Sequence, residues 1–176
     1  IVRAAHACGI PVEAELGQVL QSRDRVTADQ ISSHMTDPDL ARDFVRQTGC
    51  DSLAIAVGSV HAMRSQAAEL DQERIRACAA QVDVPLVLHG SSGVTEDSIR
   101  AAIECGIAKI NVGTYIAAGF TEALRAESAA RADEFDMRKI LGPARDEVRK
   151  RVQEKIRLFG SSGKATRLPQ GSARGA

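Results

Sequence analysis

The chain has 176 residues, of which 44% are apolar and 26% are charged, so it can fold around one sizeable core and is not disordered throughout. Lysine plus arginine and aspartate plus glutamate number 23 each, and aromatic residues are scarce. This balance argues against nucleic-acid binding, because neither a basic field nor stacking platforms are available. No apolar run is long enough for a membrane span, and we expect a cytoplasmic protein with no membrane partner.

The cysteines lie far apart in the sequence and form no C-x-x-C pair. Each stands within or beside an apolar segment, which predicts buried free thiols in a reducing compartment rather than disulfides or a metal cluster. They are Cys8, Cys50, Cys78 and Cys105.

Short apolar segments alternate with helical ones along the chain. Strands are predicted at 10–16, 52–57, 82–88 and 107–112. Helices are predicted at 1–9, 36–49, 71–81, 95–106, 115–132 and 138–159, the last interrupted at Gly142-Pro143, with a long polar loop at 18–33. The alternation predicts an α/β domain over residues 1–159 with a parallel sheet covered by helices. Residues 160–176, rich in Gly, Ser and Arg, predict a flexible tail.

The strand at 84–88 leads into His89 and then into the small residues 90–93, Gly-Ser-Ser-Gly. Backbone N–H groups in such a turn can approach an anion closely. Taken alone, the segment is equally consistent with an incidental histidine before an ordinary turn. Other strands also end in polar residues, however: His61 follows the second strand, and Asn111 with Gly113-Thr114 follows the fourth, where a helix begins.

Apolar and acidic residues alternate in the first strand, with Glu13 and Glu15 on one face. The two carboxylates could form a solvated strand face or could line the interior or mouth of a barrel.

In parallel sheets, functional groups gather at the carboxyl ends of the strands. His61 and His89 from neighbouring strands suit a borderline metal such as zinc, which needs at least one further protein ligand and an open position. The glycine-rich turn and the Gly113-Thr114 helix start suit a phosphate. A metal beside a phosphate suggests a Lewis acid that acts on a phosphorylated carbonyl compound.

Four motifs stand in the order and spacing of the C-terminal half of the class II, metal-dependent ketose-bisphosphate aldolases. The sequence resembles most closely the branch that includes tagatose-bisphosphate aldolase, over about residues 1–163. The motifs are Val-Glu-Ala-Glu-Leu-Gly17, Gly-Ser-Val-His61, Pro-Leu-Val-Leu-His-Gly-Ser-Ser-Gly93 and Ala-Lys-Ile-Asn-Val112.

The resemblance implies a (β/α)8 TIM barrel, of which this chain would supply about four βα units. It implies cleavage of a ketose 1,6-bisphosphate, of the fructose or tagatose type, into dihydroxyacetone phosphate and an aldehyde. It further implies a catalytic Zn²⁺, a possible monovalent cation and a homo-oligomer, either a dimer or a tetramer.

Individual roles follow by matching motif positions. His61 and His89 match two of three zinc-binding histidines, and Glu15 matches a glutamate near the metal. The residues matched to the substrate phosphate are Gly90, Ser91, Ser92, Gly93, Asn111, Gly113, Thr114 and, from a neighbouring subunit, Arg138. Asn111 would also contact the enediolate that the metal stabilises.

Two departures from the family matter. The half that carries the first zinc histidine and the aspartate acid/base is not in this chain, so we expect it to be truncated or part of a longer one. Arg23 stands where the family has a proton-shuttling glutamate, and arginine cannot act as a base at neutral pH. Asp24 could substitute, or the activity could be altered or lost. Gly113, where fructose-bisphosphate enzymes carry aspartate, favours the tagatose-like branch or another substrate.

A non-catalytic descendant that still binds a sugar phosphate or a metal is therefore the alternative to an aldolase. A third interpretation is an unrelated α/β domain in which the motifs are a coincidence. It requires that all four motifs arose independently in the same order.

Overall fold

The structure, a computed structural model, describes residues 1–20, 27–61 and 67–165. The chain forms two compact units, residues 1–118 and residues 119–176.

The first unit is built on a parallel sheet of four strands in the order β1-β2-β3-β4. The strands are β1 (Glu13–Leu16), β2 (Ser52–Ile55), β3 (Leu86–Leu88) and β4 (Ile107–Ile110). The helices of this unit are α1 (Val2–Ala7), α2 (Ala28–His34), α3 (Pro38–Thr48), α4 (Gln72–Gln81), α5 (Glu96–Glu104) and the start of α6 (Thr114–Ala130). The alternation of strands with helices and the parallel pairing confirm the predicted α/β architecture.

Three helices of this unit begin with a side-chain cap from Asp or Thr. The Asp37 carboxylate accepts hydrogen bonds from the N–H groups of Asp39 and Leu40, and Asp71 and Thr95 cap α4 and α5 in the same way. Each cap satisfies N–H donors that have no partner inside the helix.

The predicted loop at 18–33 is wrong in part, because residues 28–34 form α2. Thr27 and Gln30 make a reciprocal capping box, in which the Thr27 hydroxyl accepts from the Gln30 N–H and the Gln30 side chain accepts from the Thr27 N–H. The helix buries no residue, so it lacks the apolar stripe from which a helix is normally recognised.

The second unit contains most of α6 and the long helix α7 (Met137–Leu158). The predicted interruption at Gly142-Pro143 is wrong, since α7 runs through Pro143. A proline removes one backbone donor, and a helix of 22 residues keeps its remaining hydrogen bonds on both sides of that position.

The pairing register places like residues on each face of the sheet. Glu15, Ala54, Val87 and Lys109 are paired in a row across the four strands, so they share one face with Glu13 and Ser52, two residues earlier. The opposite face carries the large residues of the core: Leu53, Ile55, Leu86 and Leu88, none more than 2% exposed. The first face, here named the polar face, thus carries charged residues on β1 and β4 with Ala54 and Val87 between them, and the opposite face is apolar.

The polar face is curved. Neighbouring strands lie about 4.8 Å apart, so three steps across a flat sheet would separate β1 from β4 by about 14 Å. Nevertheless the Nζ of Lys109, on β4, lies 2.7 Å from the Oε2 of Glu13, on β1. The sheet must bend toward this face for the two side chains to meet.

Three cysteines, Cys50, Cys78 and Cys105, are buried free thiols, as predicted. The prediction is wrong for Cys8, which is exposed because α1, the helix that precedes it, buries none of its residues. In the part of the chain that the structure describes, no helix has the length and apolarity needed to cross a membrane.

Candidate active site

The carboxyl ends of β3 and β4 and the loop after β2 surround a cavity of about 480 Å³. Its wall holds both predicted metal ligands together with most of the predicted phosphate-binding residues. The lining residues are His61, His89, Gly90, Ser91, Ser92, Ile110, Asn111, Val112, Gly113 and Thr114.

The turn after β3 depends on a glycine. Gly90 has φ +68°, and a Cβ there would lie 3.1 Å from Val19 Cγ1 and 3.3 Å from the carbonyl carbon of Val60. Only glycine adopts this conformation without strain and fits the space. The chain then forms a single 3₁₀ turn, Ser91–Gly93, which brings the hydroxyl-bearing residues back toward the cavity.

Hydrogen bonds join this turn to the start of α6. The Ser91 hydroxyl donates to the carbonyl oxygen of Asn111 at 2.8 Å, and Ser92 Oγ accepts from the N–H of Tyr115 at 3.2 Å. Gly113 and Thr114 lie at the N-terminus of this 17-residue helix, where the helix dipole favours an anion. Hydroxyl groups and the N-terminus of a helix, both of which can bind an anion, therefore meet at this side of the cavity.

His61 enters the cavity wall from the loop after β2. Its backbone N–H donates to the carbonyl oxygen of Leu20 at 2.8 Å, which fixes the loop against the segment that follows β1. The ring centroids of His61 and His89 are 6.4 Å apart. Two imidazoles from adjacent strand ends thus face the same space.

His89 is held between two carboxylates. Its Nδ1 lies 2.8 Å from Oε2 of Glu15, and its Nε2 lies 3.2 Å from Oε1 of Glu13. Glu13 also contacts Lys109. Burial disfavours the charged form of Glu13, but the contacts with Lys109 and His89 outweigh it, so the pKa of this carboxyl is below its ordinary value.

The two imidazoles fit part of a zinc site. Neutral imidazole is a common zinc ligand, and the carboxylates beside His89 are of the kind that orient metal-binding histidines. Among the residues that the structure describes, no group of three His, Cys, Asp or Glu side chains could hold a metal ion. A complete site therefore needs a ligand beyond His61 and His89.

The remaining predicted residues are placed differently. Glu15 contacts His89. Gly93 is buried and its carbonyl oxygen accepts from the N–H groups of Ala67 and Ala68, so it supports the turn without lining the cavity. Arg138 belongs to the second unit, where its side chain is 90% exposed and pairs with Asp136. Asp24, like Arg23, lies outside the described residues.

Sequence reasoning missed two residues of the polar face, Glu13 as a partner of His89 and Lys109 as the cation beside it. A signal for Glu13 was present in the alternation of β1, which puts it on the same face as Glu15. Lys109 precedes Asn111 by two residues and so shares its face, but its reach across the sheet depends on curvature that the sequence does not reveal.

The family model described as "Fructose-bisphosphate aldolase class-II" matches residues 1–164. Among curated proteins, a fructose-bisphosphate aldolase of Thermus caldophilus is 37% identical, with 94% of this chain and 62% of that protein covered. A fructose-bisphosphate aldolase of Geobacillus stearothermophilus is 41% identical, with 94% of this chain and 57% of that protein covered.

Among solved structures, the YdjI aldolase of Escherichia coli K12 has a TM-score of 0.70 and 40% identity, and covers 93% of this chain and 53% of its own. These matches confirm the expected fold, a set of about four βα units of the class II aldolase barrel. The chain spans about half the length of the relatives it matches. On its sequence, its topology and the match over residues 1–164, the chain belongs to the class-II fructose-bisphosphate aldolase family.

Proposed function

We propose that this chain contributes the metal- and phosphate-binding half of a zinc-dependent aldolase. The reaction is the reversible cleavage of a ketose 1,6-bisphosphate into dihydroxyacetone phosphate and an aldehyde. The observation that supports it best is the cavity in which His61 and His89 face an anion cradle made by the Ser91–Gly93 turn and the start of α6. The named relatives that are fructose-bisphosphate aldolases support the same reaction class.

His61 and His89 would hold the metal, together with a ligand from outside the described residues. When bound, the metal would supply a Lewis acid to polarise the ketone and stabilise the enediolate left by carbon–carbon cleavage.

The chain's own residues would bind and orient the substrate. The Gly90–Ser92 segment, Gly113 and Thr114 would accept the phosphate of the dihydroxyacetone end through backbone N–H groups and hydroxyls. The Asn111 backbone is already fixed, because its N–H donates to Leu88 and its carbonyl accepts from Ser91. Its amide side chain would then reach the substrate without a large loss of conformational freedom.

We also propose that the substrate is of the tagatose type. Gly113 presents no side chain at the cavity wall, and a Cβ built there meets nothing within 4 Å. The space beside the start of α6 is therefore open to substrate. We also propose a homo-oligomer in which the exposed Arg138 serves a neighbouring site, and Asp24 as the proton shuttle in place of Arg23.

The test is metal content together with cleavage of tagatose and fructose 1,6-bisphosphates, measured on this chain and on the full-length product of its gene after reconstitution with Zn²⁺, with cleavage expected from the longer protein. Cleavage is expected to disappear with a chelator and with His89→Ala. The matched control is His34→Ala, because His34 lies at the end of α2, where its Nδ1 contacts the carbonyl of Gln30, and does not line the cavity.

Zinc binding that persists in His89→Ala would contradict the ligand assignment. Zinc and dihydroxyacetone phosphate binding that depends on His89, without cleavage of either bisphosphate, would instead favour the alternative function, a sugar-phosphate and metal-binding module that has lost catalysis. Isothermal titration with dihydroxyacetone phosphate distinguishes these outcomes.

A further inference from the structure

His89 cannot keep both of its carboxylate partners and also bind a metal. A neutral imidazole has one N–H and one lone pair, so a ring that gives its lone pair to a metal retains a single donor. In the structure each ring nitrogen faces a carboxylate, Glu15 at Nδ1 and Glu13 at Nε2. One of these two contacts must be released when a metal binds.

The two carboxylates are held unequally. Glu13 has three partners: His89 on Oε1, and on Oε2 both Lys109 at 2.7 Å and the Ser52 hydroxyl, which donates over 3.5 Å. Its side chain is 25% exposed. Glu15, with 36% of its side chain exposed, has His89 as its one hydrogen-bond or ion-pair partner among the described residues. Among the contacts of the described residues, displacing Glu15 therefore breaks one, whereas displacing Glu13 would also disturb a charge-compensated cluster.

We propose that Glu13, held by Lys109, is the positioning residue of His89. Glu15 is then the carboxylate that moves away from Nδ1 of His89 so that the metal can bind this nitrogen. This inference rests on the proposed function, since it takes His89 as a metal ligand. Glu13 then accepts the Nε2–H and fixes the plane of the ring, and Nδ1 carries the lone pair that the metal uses. Lys109 acts through Glu13 and touches neither the ring nor the metal.

The positions of the two glutamates on β1 explain why one stays on His89 and the other is displaced. Glu13 lies two residues before Glu15 on β1, opposite Ser52, and it is the carboxylate that Lys109 reaches across the curved face from β4. Glu15 lies nearer the carboxyl end of β1, and its side chain is the more exposed of the two. The retained partner is thus the less exposed one, and the exchangeable partner is the more exposed one.

The test compares Zn²⁺ affinity, measured by calorimetry at one pH, in four variants. Glu13→Gln is expected to weaken binding about 10–100-fold, the usual cost of losing a partner that orients a metal-binding histidine. Lys109→Met is expected to weaken it in the same direction. Glu15→Gln, the comparison variant at the carboxylate that the metal displaces, is expected to change the affinity less than about threefold. His89→Ala is expected to abolish binding.

A second measurement does not depend on how the variants fold. In Zn²⁺-loaded wild-type protein labelled with ¹⁵N, the ring resonances of His89 identify the protonated and the metal-bound nitrogen. The proposal requires a proton on Nε2 and the metal on Nδ1. A metal-bound Nε2, or a larger loss of affinity in Glu15→Gln than in Glu13→Gln, would overturn the proposal while leaving His89 as a ligand. Unchanged affinity in His89→Ala would overturn this proposal and the proposed function together.

Discussion

The hydroxyl of Thr36 accepts a hydrogen bond from the backbone N–H of Ala56 at 2.8 Å, beyond the end of β2. The same hydroxyl donates to the carbonyl of Leu16, the last residue of β1, and Thr36 is 1% exposed. One buried side chain thus joins the ends of two strands. Gly17, the residue after Leu16, has φ +88°, and a Cβ there would lie 2.8 Å from the Thr36 hydroxyl.

Replacing Thr36 by valine is expected to lower the free energy of unfolding by about 1–3 kcal/mol. The substitution keeps the side chain's shape but leaves the buried N–H of Ala56 and the carbonyl of Leu16 without this partner. Urea denaturation measures the change. Thr48→Val is the control, because that hydroxyl, which donates to the Phe44 carbonyl within α3 and accepts from the Cys50 N–H only over 3.4 Å, is half-buried, so its loss should cost less. Equal losses of stability in the two variants would mean that the link made by the Thr36 hydroxyl between β1 and β2 has no special role.

Two glycines of the cavity wall are expected to respond differently to alanine. Gly90→Ala must place a Cβ 3.1 Å from Val19 in a left-handed conformation, and should destabilise the protein by about 1–3 kcal/mol. Gly113→Ala meets open space, and alanine reduces the entropy of the unfolded chain, so its stability should be equal or slightly higher. Thermal or urea unfolding of the two variants measures the difference. A comparable loss of stability in both would contradict the geometry.

Much of this site could be predicted from sequence because short strands place their last residues at one edge. Apolar runs precede His61, His89 and Asn111, and this pattern was sufficient to predict that the three residues lie close together. All three line the cavity. The sequence does not distinguish the three residues of the Ser91–Gly93 turn, yet Gly93 does not line the cavity, and its carbonyl oxygen accepts from the N–H groups of Ala67 and Ala68.

The network behind His89 could not be predicted in the same way. Alternation placed Glu13 and Glu15 on one face but did not show which would contact the ring, since that depends on side-chain length and on the bend of the sheet. The role of Lys109 depends on the register shift between β3 and β4, where Val87 pairs with Lys109 although Leu86 pairs with Ile107. Irregular pairing of this kind leaves no sequence period.

The thiols should separate into one reactive and three protected groups. Ellman's reagent is expected to modify Cys8 rapidly in the native protein, whereas Cys50, Cys78 and Cys105 should react only after unfolding. Burial raises the pKa of the Cys78 thiol, which further lowers its reactive thiolate fraction. Cys8→Ser should remove the rapid phase and leave the slow one. A rapid phase that survives in Cys8→Ser would show that a buried cysteine is accessible.

At the other end of the sheet, Asp51 is expected to make stability depend on pH. Its carboxylate contacts Nε2 of His6 at 2.8 Å and accepts the N–H of Val12, and these contacts lower its pKa below 3.8. Because the folded-state pKa is the lower one, the unfolded chain takes up the proton first. The stabilisation is therefore present above the unfolded pKa and disappears as the pH falls through the folded value.

The experiment compares the free energy of unfolding of wild type and Asp51→Asn in urea at pH 5 and at successive steps below pH 3.8. The wild type should be the more stable at pH 5, and the difference should shrink as the pH falls, because both proteins then carry an uncharged group at position 51. Asp83→Asn is the control, since Asp83 is exposed in the turn after α4 and has no hydrogen-bond or ion-pair partner among the described residues. It should follow the wild type throughout. A difference for Asp51→Asn that stays constant or grows toward low pH would show that the contacts with His6 and Val12 do not favour the charged carboxylate.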